Sequence, residues 1–310
     1  MRVVFMGTPD FAVGTLEALV DAGHQVVGVV TQPDKPKGRG KNMQFPPVKE
    51  TALAHNLPVY QPVKVKEEAF VEILREMAPD VIVVVAFGQI LSKEILDMPK
   101  YGCVNVHASL LPKYRGSAPI QWAVINGEKE SGVTTMLMNE GIDTGDMLKK
   151  VVVPLDEKET GGSLFDKLAG EGARLLVETL KELEQGTATR TPQQDQEATH
   201  AKMLDKKLGL IDFSKSAVEI ERLIRGLNPW PSAYTALNKK TLKIWEANVI
   251  EKEAAGAFGE IVEVTKESVY VKTGNGLLEL VEVQLEGKKR MKVDAFLRGC
   301  KVEKGMVLEK

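Results

Sequence analysis

The sequence predicts an α/β fold in which a doubly wound, mostly parallel sheet is followed by a smaller all-β domain. Three observations predict it. Short apolar runs alternate with helical patterns through the first half, one of these runs is apolar on both faces, and the last third changes to short strands separated by turns. With 310 residues, the chain is long enough to bury two hydrophobic cores.

The amino-terminal half has the alternating rhythm of βαβ units. Its β-branched runs predict strands, and the segments between them predict helices. The strands expected are Val3 to Met6, Val26 to Val30, Val81 to Ala86 and Val104 to Val106, and the helices are Phe11 to Ala22, Val48 to His55 and Glu67 to Met77. Two further strands, Val133 to Met138 and Met147 to Val153, flank the turn GIDTGD, and an amphipathic helix at Leu164 to Leu183 closes a Rossmann-like domain.

A polar segment without periodicity, Thr187 to Thr199, predicts a connection between domains. We therefore expect a first domain at residues 1–189, a linker at 190–208 and a second domain at 209–310. The second domain has a helical pattern at Ala217 to Gly226 and then four strand patterns, at Leu242 to Val249, Gly259 to Val264, Ser268 to Lys272 and Leu277 to Gln284. Their spacing favours an OB-like β-barrel of about five strands, and a β-sandwich stays open as the alternative.

Charge, cysteine spacing and the length of the apolar runs limit the classes of protein to which this chain can belong. The formal charge is -2 and the pI is about 6.2, yet Lys and Arg outnumber Asp and Glu from Asp205 onwards, so the second domain can carry a basic face. Cys103 and Cys300 form neither a disulfide framework nor a metal-binding spacing, which favours a reducing cytoplasm. The longest apolar run, Val81 to Phe87, is too short to cross a bilayer, and we expect neither export nor membrane insertion.

The segment Cys103 to Ala123 carries the strongest chemical signal. If CVNVH is extended, Asn105 and His107 project to the same face and converge on one reacting atom. They stand at the end of a predicted strand, where ligands bind in open α/β sheets. An amide and an imidazole in that position suggest an acyl-transfer site.

Asp143, in the turn GIDTGD, can supply a carboxylate that orients or polarises His107. The alternative is a turn aspartate that caps its own backbone, a common role for Asp beside Gly. The spacing leaves both interpretations open. For the neighbouring carboxylates Glu140 and Asp146, the turn role is favoured.

Basic residues concentrate in Asp34 to Lys49, which holds five Lys/Arg, two glycines and three prolines, and from which we expect no regular element. The segment is either a solvated surface loop or a grip on a phosphodiester backbone through charge neutralisation. A second basic run, Lys288 to Lys292, is typical of a solvated hairpin. Trp230, between two prolines, is expected to be a packing anchor rather than a base-stacking platform.

Several motifs, in order along the chain, resemble those of the methionyl-tRNA formyltransferase family. They are FMGTPDFA, QPDKPKGRGK, VVAFGQIL, NVHASLLPKYRGSAPIQWA, GIDTGDM, ATHAKM and GLNPWPSAY, and they cover essentially the full length. One departure is KKLGLIDF at Lys206 to Phe213, where many relatives have K-E-E-G before I-D-W; it leaves the tRNA contacts of that segment open.

The resemblance implies an enzyme that transfers the formyl group of 10-formyltetrahydrofolate to the α-amine of methionine on initiator methionyl-tRNA, as a cytoplasmic monomer without a metal. It implies a catalytic set of Asn105, His107 and Asp143. The folate-binding residues implied are Ser109, Leu110, Leu111 and Pro112, together with Gly88, Gln89 and Ile90. The tRNA contacts implied are the β-barrel domain and Lys35, Lys37, Arg39 and Lys41, with Arg39 at the acceptor end.

Two other functions compete with this interpretation. One is a folate-dependent formyltransferase or hydrolase acting on an amino sugar or a nucleotide intermediate, and the other is a non-catalytic RNA-binding protein. The basic segment Lys35 to Lys41 favours tRNA over the first. The complete set of amide, imidazole and carboxylate argues against the second.

Overall fold

The computed structural model describes residues 1–37 and 42–309, which form two compact units. The first unit consists of Met1–Pro119, Glu130–Pro154 and Phe165–Ala201, and the second of Ile120–Lys129, Leu155–Leu164 and the chain from Lys202 onwards. Each unit is thus assembled from more than one stretch of sequence. Within the described residues, every helix is too short or too polar to cross a membrane.

The first unit contains a large sheet and two small strand pairs. Its strands are β1 (Arg2–Gly7), β2 (Gln25–Val30), β3 (Lys35–Lys37), β4 (Asn42–Gln44), β5 (Val59–Tyr60), β6 (Val81–Val85), β7 (Cys103–His107), β8 (Arg115–Gly116), β9 (Glu130–Leu137), β10 (Met147–Pro154) and β11 (His200–Ala201). Seven strands form the large sheet in the order β10-β9-β7-β6-β1-β2-β5. The five from β7 to β5 are parallel, whereas β9 and β10 are antiparallel, so the predicted mostly parallel sheet is confirmed.

Helices cover both faces of this sheet, as the βαβ rhythm predicts. Those of the first unit are α1 (Val13–Asp21), α2 (Pro47–Ala54), α3 (Glu68–Met77), α4 (Lys93–Leu96) and, from Phe165 onwards, α6 (Gly161–Gln185), whereas α5 (Pro119–Ile125) belongs almost entirely to the second unit. All five residues of β6 are buried, which explains its unbroken β-branched sequence. Helix α3 buries Phe70, Val71, Leu74 and Met77 in one core with Ile82 and Val84 of that strand.

The expectation that Asp34 to Lys49 contains no regular element is wrong. Strands β3 and β4 form a short antiparallel hairpin, and α2 begins at Pro47. The prolines do not prevent these elements, because Pro36 lies in an isolated two-stranded pair and Pro47 lies at the start of a helix, where a missing N–H is tolerated. Residues 38–41, at the tip, lie outside the described residues.

The second unit is built on antiparallel strands. They are β12 (Ala233–Leu237), β13 (Lys240–Ile250), β14 (Ile261–Val264), β15 (Val269–Lys272), β16 (Leu277–Leu285) and β17 (Met291–Lys292), accompanied by helices α7 (Ala217–Gly226) and α8 (Val293–Gly299). Their order is β12-β13-β16-β15-β14, with β17 also paired to β16. Ser216 and Glu219 form a capping box at the start of α7, whose apolar face packs on the sheet.

The last described residues contact both edges of this sheet. The backbone of Glu309 exchanges two hydrogen bonds with Ala236 of β12, at 2.9 and 3.0 Å. The N–H of Leu308 donates to the carbonyl of Gly259 at 2.8 Å, just before β14. Among the described residues, β12 and β14 do not pair directly with each other. Trp230 is 56% exposed, so its expected role as a packing anchor is wrong.

Candidate active site

Strand β7 positions the first two functional side chains. Asn105 and His107 are both buried near its carboxyl end, separated by Val106. Val106 faces α6 so closely that a Cβ on Gly172 of that helix would lie 2.9 Å from its Cγ1. Because side chains alternate along a strand, Asn105 and His107 project from the opposite face of the sheet, together, as predicted.

The imidazole of His107 is held from one side by the chain that follows it. Its Nε2 lies 2.9 Å from the carbonyl oxygen of Tyr114, and its Nδ1 lies 3.7 Å from Oδ2 of Asp143. A carbonyl oxygen can only accept a hydrogen bond, so Nε2 carries a hydrogen. Nδ1 is therefore the ring nitrogen that faces the carboxylate.

Asp143 contacts residues that are distant in the sequence. Its Oδ2 accepts a 2.8 Å hydrogen bond from the N–H of Gly116, and its Oδ1 lies 3.5 Å from the amide nitrogen of Asn105. The backbone at Asp143 is left-handed, with φ of 54°. A turn aspartate that caps its own backbone would make local bonds instead, so the geometry joins Asp143 to Asn105 and His107.

The loop after β7 is fixed by several hydrogen bonds, two of which involve one buried hydroxyl. Thr134 of β9 donates from Oγ1 to the carbonyl of Ser109 at 2.7 Å and accepts at 3.1 Å from the N–H of Leu111. The ammonium group of Lys150 donates to the carbonyl of Leu111 at 2.5 Å, and burial lowers the pKa of Lys150 from its ordinary value. Ser109 and Leu111 are buried, whereas Leu110 and Pro112 are half-buried at the surface of this loop.

The loop after β6 lies at the same edge of the sheet, because β6 and β7 are parallel neighbours. Gly88 has φ of 84° and is exposed, and Ile90 is 75% exposed. The side chain of Gln89 accepts a 2.7 Å bond from the N–H of Val65 and donates to the carbonyl of Pro62. These two bonds hold the Gln89 side chain against the segment Pro62 to Val65.

Two family models match the chain. One, described as formyl transferase, matches residues 1–180, and the other, described as formyl transferase, C-terminal domain, matches residues 203–301. The chain belongs to the formyl transferase family. It is 66% identical to the methionyl-tRNA formyltransferase of Agathobacter rectalis, over 98% of each chain, and 53% identical to that of Clostridioides difficile, over 99% of this chain and 100% of the relative. The resemblance found in the motifs is confirmed.

Two solved structures have a similar fold. A sugar 3N-formyl transferase, WlaRD, determined in the presence of dTDP and 5-N-formyl-THF, matches with a TM-score of 0.68 and 20% identity, over 93% of this chain and 99% of its own. HypX from Aquifex aeolicus, in complex with tetrahydrofolic acid, matches with a TM-score of 0.61 and 18% identity, over 99% of this chain and 50% of its own. At these identities the likeness concerns the fold alone.

The basic hairpin of this formyl transferase is anchored at its base. Asp34 accepts hydrogen bonds from Lys49 at 2.6 Å and from Gln61 at 2.8 Å, and the bond from Lys49 lowers the pKa of the Asp34 carboxyl. Lys35 is exposed, and the backbone of Lys37 completes β3. The predicted tRNA contacts Arg39 and Lys41 lie outside the described residues.

Sequence reasoning missed several residues of this formyl transferase that hold the site together. They are Tyr114, Arg115, Gly116, Thr134, Lys150 and Gln193. The first three lie within four residues after the loop Ser109 to Pro112, so their place in the chain is a signal that could have found them. Gln193 lies in a polar segment without periodicity, which gives no such signal.

Proposed function

We propose that this formyl transferase moves the formyl group of 10-formyltetrahydrofolate to the α-amino group of methionine on initiator methionyl-tRNA. The observation that carries the proposal is the convergence of Asn105, His107 and Asp143 at the end of β7, in a chain that is 66% identical to an enzyme of that name. An amide can donate to the formyl oxygen, an imidazole can exchange a proton with the amine, and a carboxylate can orient the imidazole.

The two loops at this edge of the sheet fit a folate. A pterin ring presents hydrogen-bonding edges and flat apolar faces. Backbone groups at Gly88 to Ile90 can meet the edges, while the exposed side chain of Ile90 and the half-buried Leu110 and Pro112 of the loop Ser109 to Pro112 supply apolar surface. When bound, the folate supplies an activated formyl group.

Asn105 stabilises the negative charge that develops on the formyl oxygen when the amine attacks. Its Nδ2 is 3.5 Å from Asp143, a distance at the outer limit of hydrogen bonding, so the amide hydrogens are free to turn towards a stronger acceptor. One preorganised donor of this kind is worth about 3 kcal/mol in an acyl-transfer barrier.

His107 and Asp143 form the pair that takes a proton from the attacking amine and returns it to N10 of the folate as the bond between N10 and the formyl carbon breaks. Nδ1 of His107 is the nitrogen available for proton exchange, because Nε2 is committed to the carbonyl of Tyr114. The 3.7 Å gap between Nδ1 and Asp143 exceeds an ordinary hydrogen bond but is too short to hold a water molecule, so the carboxylate faces the ring directly and stabilises the positive charge that His107 gains with the proton.

The tRNA is held outside the catalytic centre. We assign catalysis to residues 1–189, a linker to 190–208 and RNA binding to 209–310, together with Lys35, Lys37, Arg39 and Lys41 of the basic hairpin. The bonds that Leu308 and Glu309 make to both sheet edges favour an OB-like barrel in which these residues bridge the two edge strands. A cytoplasmic monomer is the form expected to act on tRNA.

The test is transfer of labelled formyl from 10-formyltetrahydrofolate to methionyl initiator tRNA. We expect the unaltered chain and a His55→Ala control, changed at an exposed histidine, to be active, and His107→Ala to lose at least about 100-fold in kcat. Failure of the unaltered chain, with folate still bound, would mean that the acceptor is wrong, and amino sugars would be tested next.

The basic hairpin has a separate test. Replacing Arg39 and Lys41 by Ala is expected to weaken tRNA binding and to reduce its dependence on salt, because fewer counterions are released. Transfer to small free amines should persist. Unchanged tRNA affinity would remove the hairpin from the RNA-binding surface.

A further inference from the structure

The turn that carries Asp143 has a backbone shape that needs external support. Asp143 is left-handed, at φ of 54°, a conformation that costs a non-glycine residue about 1 kcal/mol or more and persists only where neighbours hold it. Two carbonyl groups of this turn, those of Asp143 and Gly145, point at the same partner. The side-chain amide nitrogen of Gln193 donates to both, each at 2.8 Å.

Gln193 is itself held in place on its other side. Its Oε1 accepts a 3.0 Å hydrogen bond from Nε of Arg115, a guanidinium that is only 5% exposed and that also donates to Asp195 at 2.9 Å. Arg115 directly precedes Gly116, whose N–H donates to the carboxylate of Asp143. The same short strand, β8, therefore supports Asp143 twice: through Gly116 on its carboxylate and through Gln193 on its backbone.

Only an amide side chain satisfies both ends of this arrangement. The side-chain oxygen of Gln193 accepts the hydrogen bond from Arg115, and its two N–H groups donate to the two carbonyls of the turn. These bonds use every polar group of the side chain except one lone pair of the oxygen. Glutamate keeps the acceptor but loses the donors, and leucine loses both. Gln193 is half-buried, whereas Gln194 and Gln196, two neighbouring amides, are exposed and bond to each other at 3.1 Å.

We propose that Gln193 is a positioning residue that holds the Asp143 carboxylate in register with Asn105 and His107. It touches neither substrate and acts through the backbone of the turn. Because this inference rests on the proposed catalytic role of Asp143, its test must distinguish a failure of the positioning role of Gln193 from a failure of the catalytic role of Asp143. Misplacing a catalytic group by about 1 Å costs up to about 100-fold in rate while leaving substrate binding intact.

The experiment compares Gln193→Leu and Gln193→Glu with Gln196→Leu, a control on the same segment. Steady-state transfer of labelled formyl to methionyl-tRNA gives kcat and KM for each. We expect both Gln193 variants to lose about 10- to 100-fold in kcat with KM values changed less than about twofold, and the control to match the unaltered chain. Gln193→Glu, close in size to glutamine, keeps the comparison available if the leucine variant does not fold.

Combining substitutions at Gln193 and Asp143 shows whether Gln193 acts through the Asp143 carboxylate. In an Asp143→Asn background, measured in single turnover with excess enzyme, adding Gln193→Leu should cost less than about twofold, because there is no carboxylate left to position. Equal losses in both backgrounds, or unchanged kcat in the Gln193 variants, would overturn the positioning role while formyl transfer stands. Full transfer by Asp143→Asn alone would instead remove the proposed role of Asp143, and the inference with it.

Discussion

Nε2 of His107 lies 2.9 Å from the carbonyl oxygen of Tyr114, seven residues further along the chain. Tyr114 adopts a left-handed backbone, with φ of 60°, in the segment that follows the loop Ser109 to Pro112. The bond selects the tautomer of the ring and fixes its orientation. One loop thus shapes the folate side of the proposed site and also directs Nδ1 of His107 towards Asp143.

A substitution that replaces Nε2 of His107 but removes Nδ1 tests this arrangement. In His107→Gln the side-chain amide can reach the position of Nε2 and donate to the carbonyl of Tyr114, but nothing replaces Nδ1. We expect this variant to keep the stability of the unaltered chain in urea unfolding and to lose about 100-fold or more in kcat. Retained activity would mean that Nδ1 exchanges no proton in the rate-limiting step.

Thr134 is expected to control folate binding through the loop it holds. Thr134→Val keeps the shape of the side chain but leaves the carbonyl of Ser109 and the N–H of Leu111 without this partner. A lost buried hydrogen bond costs about 1 to 3 kcal/mol, and each kcal/mol by which folate binding is weakened raises the KM about fivefold. The measurement is KM for 10-formyltetrahydrofolate at saturating methionyl-tRNA.

The adjacent threonine is a matched control for that change. Thr135 is equally buried, but it faces α6, where its hydroxyl lies 2.8 Å from that of Thr179. Thr135→Val should therefore lower the free energy of unfolding without a change in KM for the folate. Equal effects of the two variants on KM would show that folate binding depends on the overall stability of the unit and not on the hydrogen bonds of Thr134.

The sequence predicts best where a structure depends on neighbouring residues. Strand β6 is predicted by its unbroken β-branched run, and the common face of Asn105 and His107 by the alternation of side chains along β7; both strands lie at the expected positions. Strand β12, Ala233–Leu237, alternates buried and half-buried residues but is short and contains two alanines, which favour strands weakly, so its pattern was missed.

Contacts between residues distant in the sequence could not be predicted in this way. The partner of the Asp143 carboxylate is Gly116, 27 residues away, so the turn sequence alone left capping and catalysis open. Gln193 lies 50 residues from Asp143, in a segment whose polar composition indicates only a connection. Both relationships are created where segments distant in the sequence pack together, and periodicity carries no information about them.

The two cysteines should differ sharply in reactivity. Cys103 is 1% exposed, its Sγ lies 3.5 Å from the carbonyl of Ile95, and burial raises its pKa to about 12. Cys300 is only partly buried. At about pH 8 a chromogenic disulfide reagent should modify Cys300 in the native protein and reach Cys103 only on unfolding, because the thiolate is the reactive form. Rapid labelling of a Cys300→Ser variant would contradict this assignment.

The second unit should lose stability in acid through Glu279. Its carboxylate accepts hydrogen bonds from Asn248 at 3.0 Å, Ser268 at 2.7 Å and Tyr270 at 3.1 Å, and these bonds, that from Asn248 foremost, lower its pKa from the ordinary value. A carboxylate whose pKa is lower in the folded state binds protons more readily when unfolded. Its stabilisation is therefore complete above the unfolded pKa and is lost as the pH falls through the folded one.

Replacing the carboxylate by an amide exposes this linkage. Glu279→Gln is expected to lower the free energy of unfolding by about 1 kcal/mol at neutral pH, and the difference from the unaltered chain should shrink towards about pH 3. Urea titrations followed by tryptophan fluorescence give both values. Glu267→Gln, an exposed carboxylate on the nearby turn, should show no such pH dependence. A difference that stays constant with pH would mean that the hydrogen bonds stabilise the amide and the carboxylate alike, so that the charge of Glu279 contributes nothing of its own.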